Sequence, residues 1–319
     1  MDPVTHTLAG ATMARAGLDR RTPLATAALL IGANAPDIDI VTAFGGTNAT
    51  LAWRRGWTHG PIALVLLPFL ITGLLMAWDR WVRRRRSPDA LPAYGIPLLQ
   101  AATIGVLSHP ALDWLNTYGI RLLMPFSDTW FHGDSVFIID PYLWLLLGVG
   151  LYAARRVQPD ARRVRHRARV MGGTAAAYVA VLIALSAAGE RSGATAATQA
   201  GIADVREVLY SPQPANPFAA DLVVRTGDAY HLGALHWALG HNTVTFNGAV
   251  LPRGDWTAAV VTRARAVPEV QRYLVWSQFP YVRVDVSGAD TTIFFGDARY
   301  ASGLARGLSG LRVTPPPGN

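Results

Sequence analysis

His109, Asp113 and Asn116 close an apolar run that begins at Pro97. Their spacing of i, i+4 and i+7 puts all three on one face of a helix. Ionisable groups inside a membrane span are costly to bury and default to a functional reading. A histidine and a carboxylate one turn apart are also a natural pair of metal ligands. The structural alternative is a polar cluster that packs helices together. Asp113 could also orient His109 from behind instead of meeting an ion itself. The sequence continues to Pro141 as SHPALDWLNTYGIRLLMPFSDTWFHGDSVFIIDP, so one stretch holds candidate ligands and a long loop that could cover them.

Other candidates are spread over the first 140 residues. Asp37 and Asp39 lie in NAPDID; a loop there lets two carboxylates share one ion or bridge two, whereas a solvated turn needs neither. His59, in RRGWTHGP, just precedes an apolar run and is either interfacial or a ligand. His6 sits in the first turn of a helix, where many histidines are merely exposed. Asp140 precedes Pro141 and is an ideal helix N-cap, which alone would explain it. His132 and Asp134 read as solvated loop residues. Arg54, Arg55 and Arg121 could clamp an anionic group such as phosphate, although arginines beside a span are ordinary interfacial sequence. His231, His236 and His241 are spaced by five, which fits neither one helix face nor one strand face, so they read as structural. There is no Gly-rich phosphate loop, no G-x-S-x-G elbow and no HExxH.

What must position these residues is a membrane domain. The 319 residues are 51% hydrophobic and 16% charged, with mean hydropathy +0.22, on the membrane side of ordinary soluble composition. Cysteine is absent and all 29 basic residues are arginine, which excludes disulfides, thiolate chemistry and lysine nucleophiles. Asp2-Pro3 and Thr22-Pro23 are helix starts. They predict a short hairpin over 3–35, with both arms too short to cross a bilayer and the second stopping before Pro36. Membrane spans are predicted at about 61–81, 97–116, 136–154 and 170–188, completing a helical domain over 1–188. Residues 189–200, rich in Ala, Ser, Thr and Gly, read as a linker. Alternation of apolar and polar residues then predicts a small β-rich (α+β) domain over 201–310, with one helix near Pro268–Tyr273 and a disordered tail over 311–319. The N-terminus lacks a basic segment before its first apolar run, so no cleavable signal peptide is expected.

The net charge of +8 is concentrated in arginine blocks. Five fall within 80–86 and seven within 155–169, each between apolar runs. This reads as a positive-inside signal, not a nucleic-acid surface. With those loops in the cytoplasm, the C-terminal domain lies outside the cell. The same orientation brings His6, Asp37, Asp39, His59, His109, Asp113, Asn116, His132, Asp134 and Asp140 to one level near the outer face.

The stretches MDPVTHTLAGA, ANAPDID, RRGWTHG, SHPALDWLNTYGIRLLMPFSD and FIIDPYLWLL resemble the YdjM-like, LexA-regulated, membrane-bound metal-dependent hydrolases. The resemblance covers roughly residues 1–150 and is loose over the last 120 or so. It implies a bacterial inner-membrane protein with several spans and a divalent-metal hydrolase site. Its motif positions are His6, Asp37, Asp39, His59, His109, Asp113 and Asp140. Dispersed His and Asp on helices are also similar to the zinc-dependent phospholipase C group, which uses three zinc ions and an N-terminal amine.

The leading expectation is therefore a membrane-embedded hydrolase with one or two divalent ions, zinc preferred over manganese or magnesium because of the histidines. Asp113, Asp37 or Asp39 would serve as general base where not ligating, and Asn116 and Arg121 complete the candidate catalytic set. The level of the site points to phosphodiesterase-like chemistry on a lipid or other phosphoester, with membrane lipids as partners and no nucleic acid. A non-catalytic metal-binding or transport protein is the alternative, but it needs polar residues through the spans, and these are nearly bare. A membrane anchor carrying a β-rich binding module would leave the converging His and Asp unexplained.

Overall fold

The computed structural model describes residues 1–287, 290–301 and 310–316, in two compact units. The first, Met1–Phe44 and Trp53–Ile183, is helical. Helix α1 (Pro3–Arg15) is capped by Asp2, whose carboxylate accepts from the backbone of Val4 and Thr5. Helix α2 (Ala25–Asn34) ends where Pro36 can no longer donate to the α ladder, and the chain tightens into a 3-10 segment, Ala35–Gly45. Helix α3 (Gly46–Trp53) follows, all but Trp53 grouped with the second unit. Helix α4 (Pro61–Trp78) passes through a π turn, Asp79–Arg83, into the single turn α5 (Arg84–Arg86). Helices α6 (Gly95–Trp114), α7 (Pro141–Arg155) and α8 (Ala161–Gln199) complete the set.

Two differences from the expected spans have clear causes. The second hairpin arm does not stop at Pro36, because a 3-10 turn tolerates the missing donor; the continuous segment Ala25–Gly45 is long and apolar enough to cross a membrane. The span expected at 136–154 is shorter. Asp140 accepts from Leu143 N and Pro141 opens the helix, while Val136 N–H donates back to the Leu115 carbonyl at 3.0 Å. The resulting α7 has 15 residues, about 22 Å at 1.5 Å per residue. Among the described residues, the helices fit to cross by length and composition are Ala25–Gly45, Pro61–Arg86, Gly95–Trp114 and Ala161–Gln199. On α4, Val65, Leu66, Phe69, Leu70 and Leu74 stay exposed, a face suited to lipid and not to water.

Helices α2 and α6 lie backbone to backbone. A Cβ on Gly105 would come within 2.7 Å of the Leu29 carbonyl oxygen, and one on Gly32 within 2.8 Å of that of Ala102. This close approach brings the end of α2 beside the end of α6, where the candidate ligands are. The other end of the unit gathers the arginines. Tyr94 N–H donates to Thr22 Oγ1 (2.6 Å), Arg21 Nη1 to Gln100 Oε1 (3.1 Å), Ala93 N–H to Asp79 Oδ2 (3.0 Å) and Arg169 Nε to the Ala16 carbonyl (2.8 Å). The blocks at 15–21, 80–86 and 155–169 therefore share one end of the helical unit, and the His/Asp residues occupy the opposite one.

The second unit, Gly45–Ala52 with Ala184–Asn319, contains an antiparallel sheet of β1 (Glu207–Gln213), β2 (Asn216–Arg225), β3 (Ala229–Ala238) and β4 (His241–Pro252). A second sheet joins β5 (Pro280–Ser287), β6 (Asp290–Asp297) and β7 (Gly310–Val313). Helices α9 (Ala259–Arg265) and α10 (Pro268–Trp276) lie between them in sequence; α10 covers the predicted helix, and α9 was not foreseen. The expected linker at 189–200 is helical through Gln199. Its alanines favour helix, and its glycines let the sheet approach: Gly189 faces the Tyr210 ring, and Gly193 faces Val208 and Leu222. The expected tail at 311–319 begins as strand β7, paired with β6; its last three residues lie outside the described ones.

Asp297 should make this unit acid-sensitive. It is fully buried and accepts from Ser277 Oγ (2.6 Å), Gln278 N (3.0 Å) and Arg299 Nη2 (2.8 Å). Burial pushes its pKa up, but the Arg299 charge and these bonds outweigh it and hold the carboxyl below its ordinary value. A depressed folded pKa stabilises above the unfolded value, near 4, and that contribution is lost as pH falls through the folded one. Hydrogen exchange in the β5–β6 ladder, corrected for its intrinsic rate, should accelerate below about pH 4. Asp297→Asn should abolish that acid limb; an unchanged limb would assign it to other groups.

Candidate metal centre

Asp37, His59, His109 and Asp113 each offer one ligand atom, and these four atoms lie within 4.8 Å of one another. All four residues are buried. His109 and Asp113 come from one face of α6, as their i, i+4 spacing predicts. Asp37 comes from the 3-10 segment after α2, and His59 from the turn before α4. His109 Nε2 is 3.4 Å from Asp113 Oδ2 and 3.7 Å from Asp37 Oδ1; His59 Nε2 is 3.5 Å from Asp113 Oδ2.

The far side of each imidazole fixes its tautomer. His109 Nδ1 lies 2.7 Å from the Ala33 carbonyl, which can only accept, so Nδ1 carries the proton. Thr58 Oγ1 donates to Asp39 Oδ2 at 2.7 Å. His59 Nδ1, 2.9 Å from Thr58 Oγ1 and 3.3 Å from Asp39 Oδ2, therefore also donates. Burial lowers the pKa of His59 against the opposing pull of Asp39, which favours the neutral ring. Both Nε2 atoms then present lone pairs, and they face each other at 3.1 Å. Two lone pairs at that distance repel unless a cation lies between them. Asp37 Oδ1 and Asp113 Oδ2 are buried and form no hydrogen bond. Two bare imidazole nitrogens with two unsatisfied carboxylate oxygens are a donor set that fits a divalent ion.

Arg55 anchors the carboxylate end. Its side chain is fully buried and its backbone is left-handed, at φ 52°. Its Nη1 donates to Asn116 Oδ1 and to the Gly119 carbonyl, both at 3.0 Å, and its Nη2 to Asp113 Oδ1 at 3.3 Å. Its Nε lies 3.1 Å from Asp113 Oδ2, a charge contact out of line for a hydrogen bond. Burial pulls the Arg55 pKa down to about 10, still far enough above neutrality to keep the guanidinium charged. Asp113 Oδ1 also meets His6 Nε2 at 3.2 Å and the Met1 amino group. Asp113 thus gives Oδ1 to the Arg55 hydrogen bond, His6 and the Met1 amino group, and turns Oδ2 toward His59 and His109, with Arg55 Nε beside it.

The remaining candidates divide by position. His6 stacks on His109 with ring centroids 3.8 Å apart and lies outside the four-donor group. Asp39 stands behind His59, accepting from Thr58 and from Arg55 N–H at 2.7 Å. On a 3-10 segment with three residues per turn, positions i and i+2 point apart; this is why Asp37 lies on the Nε2 side of the imidazoles and Asp39 behind His59, on its Nδ1 side. Asn116 Oδ1 takes Arg55 and the backbone N–H groups of Tyr118 and Gly119, so it shapes the turn. Arg121 donates to the Arg54 carbonyl (2.9 Å) and sits over Trp130, pinning loop 117–135 to the segment before His59. Asp140 accepts from Leu143 N (2.8 Å) and the Tyr178 hydroxyl (3.0 Å): it is the helix cap, apart from the four donors. His132 and Asp134 are half-buried in the same loop. Arg55, read from sequence as a candidate clamp for an anionic group or an interfacial arginine, is the main surprise, because it is fully buried on Asp113 and Asn116; its place four residues before His59 in RRGWTHG was the available signal.

Asp39→Asn tests the orienting layer. Losing a partner behind a ligating histidine typically weakens metal binding about 10–100-fold. Competition against a chelator should show that loss in the purified variant; unchanged affinity would remove Asp39 from the site.

A family model described as YdjM inner membrane protein matches residues 1–191. Among curated relatives, the uncharacterized protein YfhP of Bacillus subtilis (strain 168) is 27% identical over 118 residues, 37% of this chain. The match covers 33% of that protein's length. No solved structure matches.

Proposed function

Because the chain belongs to the YdjM inner membrane protein family, we propose that its helical unit is a membrane-embedded, divalent-metal-dependent hydrolase. The observation that carries this reading is the pair of Nε2 lone pairs facing each other at 3.1 Å beside two unsatisfied carboxylate oxygens. Asp37, His59, His109 and Asp113 would hold one ion, with zinc preferred for the two imidazoles and manganese or magnesium as alternatives. When bound, such an ion supplies a water acidified toward neutrality and a Lewis-acid contact for a substrate oxygen. The Ala33 carbonyl and the Asp39–Thr58 pair hold the two imidazoles with Nε2 forward. Arg55, in contact with both oxygens of Asp113, holds that carboxylate in place. Asp37 accepts a proton where it is not ligating.

The substrate we infer is a lipid or other phosphoester at the outer face. Supporting this, the arginine blocks share the end of the helical unit opposite the His/Asp group, and basic loops favour the cytoplasm. The second unit would then be extracytoplasmic. The test is metal analysis of detergent-purified protein with panels of phosphodiester, phosphomonoester and carboxylester lipids, each with and without chelator. Chelator-sensitive turnover of one class is expected. Bound metal with no turnover across the panels would favour ion binding or transport, and absence of metal would sink the reading.

A further inference from the structure

At the arginine-rich end of the helical unit, a cavity of about 310 Å³ lies between the α1–α2 turn and the start of α8. Arg15, Asp19, Arg20, Gln158 and Arg165 line it. We propose that this cavity binds the phosphodiester headgroup of an anionic membrane lipid.

Three arginines and one aspartate line it, and that carboxylate is already engaged: Asp19 pairs with Arg15 at 3.6 Å. Arg165 Nη1 is buried and has no hydrogen-bond partner, so a strong donor is left unsatisfied beside the cavity, a costly state unless something fills it. The backbone holds this arrangement in place. Gly17 takes φ 129°, a conformation that favours glycine, and its missing Cβ leaves room for Arg165 Cδ, which would stand 3.2 Å from such an atom. Arg169 Nε ties the same turn to α8 through the Ala16 carbonyl at 2.8 Å.

Arginine forks match phosphate oxygens. A basic pocket among membrane helices, on the side that carries the positive charge, is suited to anionic headgroups. The depth also fits. Trp78, Trp81 and Tyr94 are exposed at this same end, as interfacial aromatics are at headgroup level. None of the lining residues belongs to the His/Asp centre, so the inference stands apart from the hydrolase reading.

The test uses the full chain purified in detergent. Thermal unfolding is titrated with short-chain phosphatidylglycerol, short-chain phosphatidylcholine or inorganic phosphate. The anionic lipid should bind about tenfold or more tighter than the zwitterionic one, about 1.4 kcal/mol. Arg165→Gln and Arg20→Gln should each reduce that binding about tenfold, whereas Arg85→Gln, in the same basic end but outside the cavity, should not. Arg20 is exposed, so its variant keeps the test valid if Arg165→Gln fails to fold. Equal binding of the two lipids, or equal loss in Arg85→Gln, would overturn the pocket in favour of diffuse attraction. Inorganic phosphate binding as tightly as phosphatidylglycerol would overturn the lipid assignment.

Discussion

On the proposed hydrolase reading, His109→Ala should abolish divalent-ion binding and turnover while leaving the helical unit folded. The substitution removes an imidazole nitrogen that lies within 3.1–3.7 Å of each of the other three donors. Losing only a residue behind a ligand costs about 10–100-fold in affinity, so losing the ligand itself should cost at least about 100-fold. His59→Ala should match it, because the two imidazoles are equivalent: each is held from behind, and each presents Nε2. Asp140→Ala should leave metal content unchanged and act through the lost cap, about 1 kcal/mol of stability. Metal analysis of the three variants beside wild type separates these cases. Equal metal in wild type and both histidine variants would refute the site, and loss of metal from Asp140→Ala alone would move it.

Arg55→Met should destabilise the protein more than any other change near the site. Arg55 is fully buried, with its guanidinium on Asp113, Asn116 and the Gly119 carbonyl. Removing one partner of a buried ion pair typically costs about 3–5 kcal/mol, because the other charge is left uncompensated. A cation on Asp113 would offset part of that deficit. The fall in melting temperature should therefore be larger with chelator than with added divalent metal. Arg55→Lys should not restore the wild-type value, since an ammonium cannot reproduce the forked contacts. A fall that ignores chelator would mean that Asp113 meets no ion.

The two units were legible in the chain by their different periodicities, and most of the candidate site by a simpler signal: carboxylates and histidines stand beside apolar sequence, where burying them has a cost. The same rule led Asp140 astray. Asp140 is buried too, but a cap bond to Leu143 N satisfies it, and sequence cannot distinguish that from ligation. The linker at 189–200 misled for a related reason. Its alanines favour helix on their own, but Gly, Ser and Thr between them read as linker, and the sheet packed on Gly189 and Gly193 shows why the helix continues.

The opening stretch, Ser108–Pro141, shows where the boundary lies. Helical spacing alone determined that His109 and Asp113 share a face, because 3.6 residues per turn leaves no other choice. The hydropathy runs likewise determined that the site borders a membrane domain, and the arginine blocks that they share one end. Only the tertiary structure decided which distant residues meet that face. The near contact of α2 with α6 through Gly32 and Gly105 carries Asp37 to His109, and the 3-10 turn sends Asp39 behind His59. Arg55 is drawn inward because Asp113 and Asn116, 58 and 61 positions away, need a buried donor. Such pairings depend on three-dimensional distance, and no local pattern in the chain encodes them.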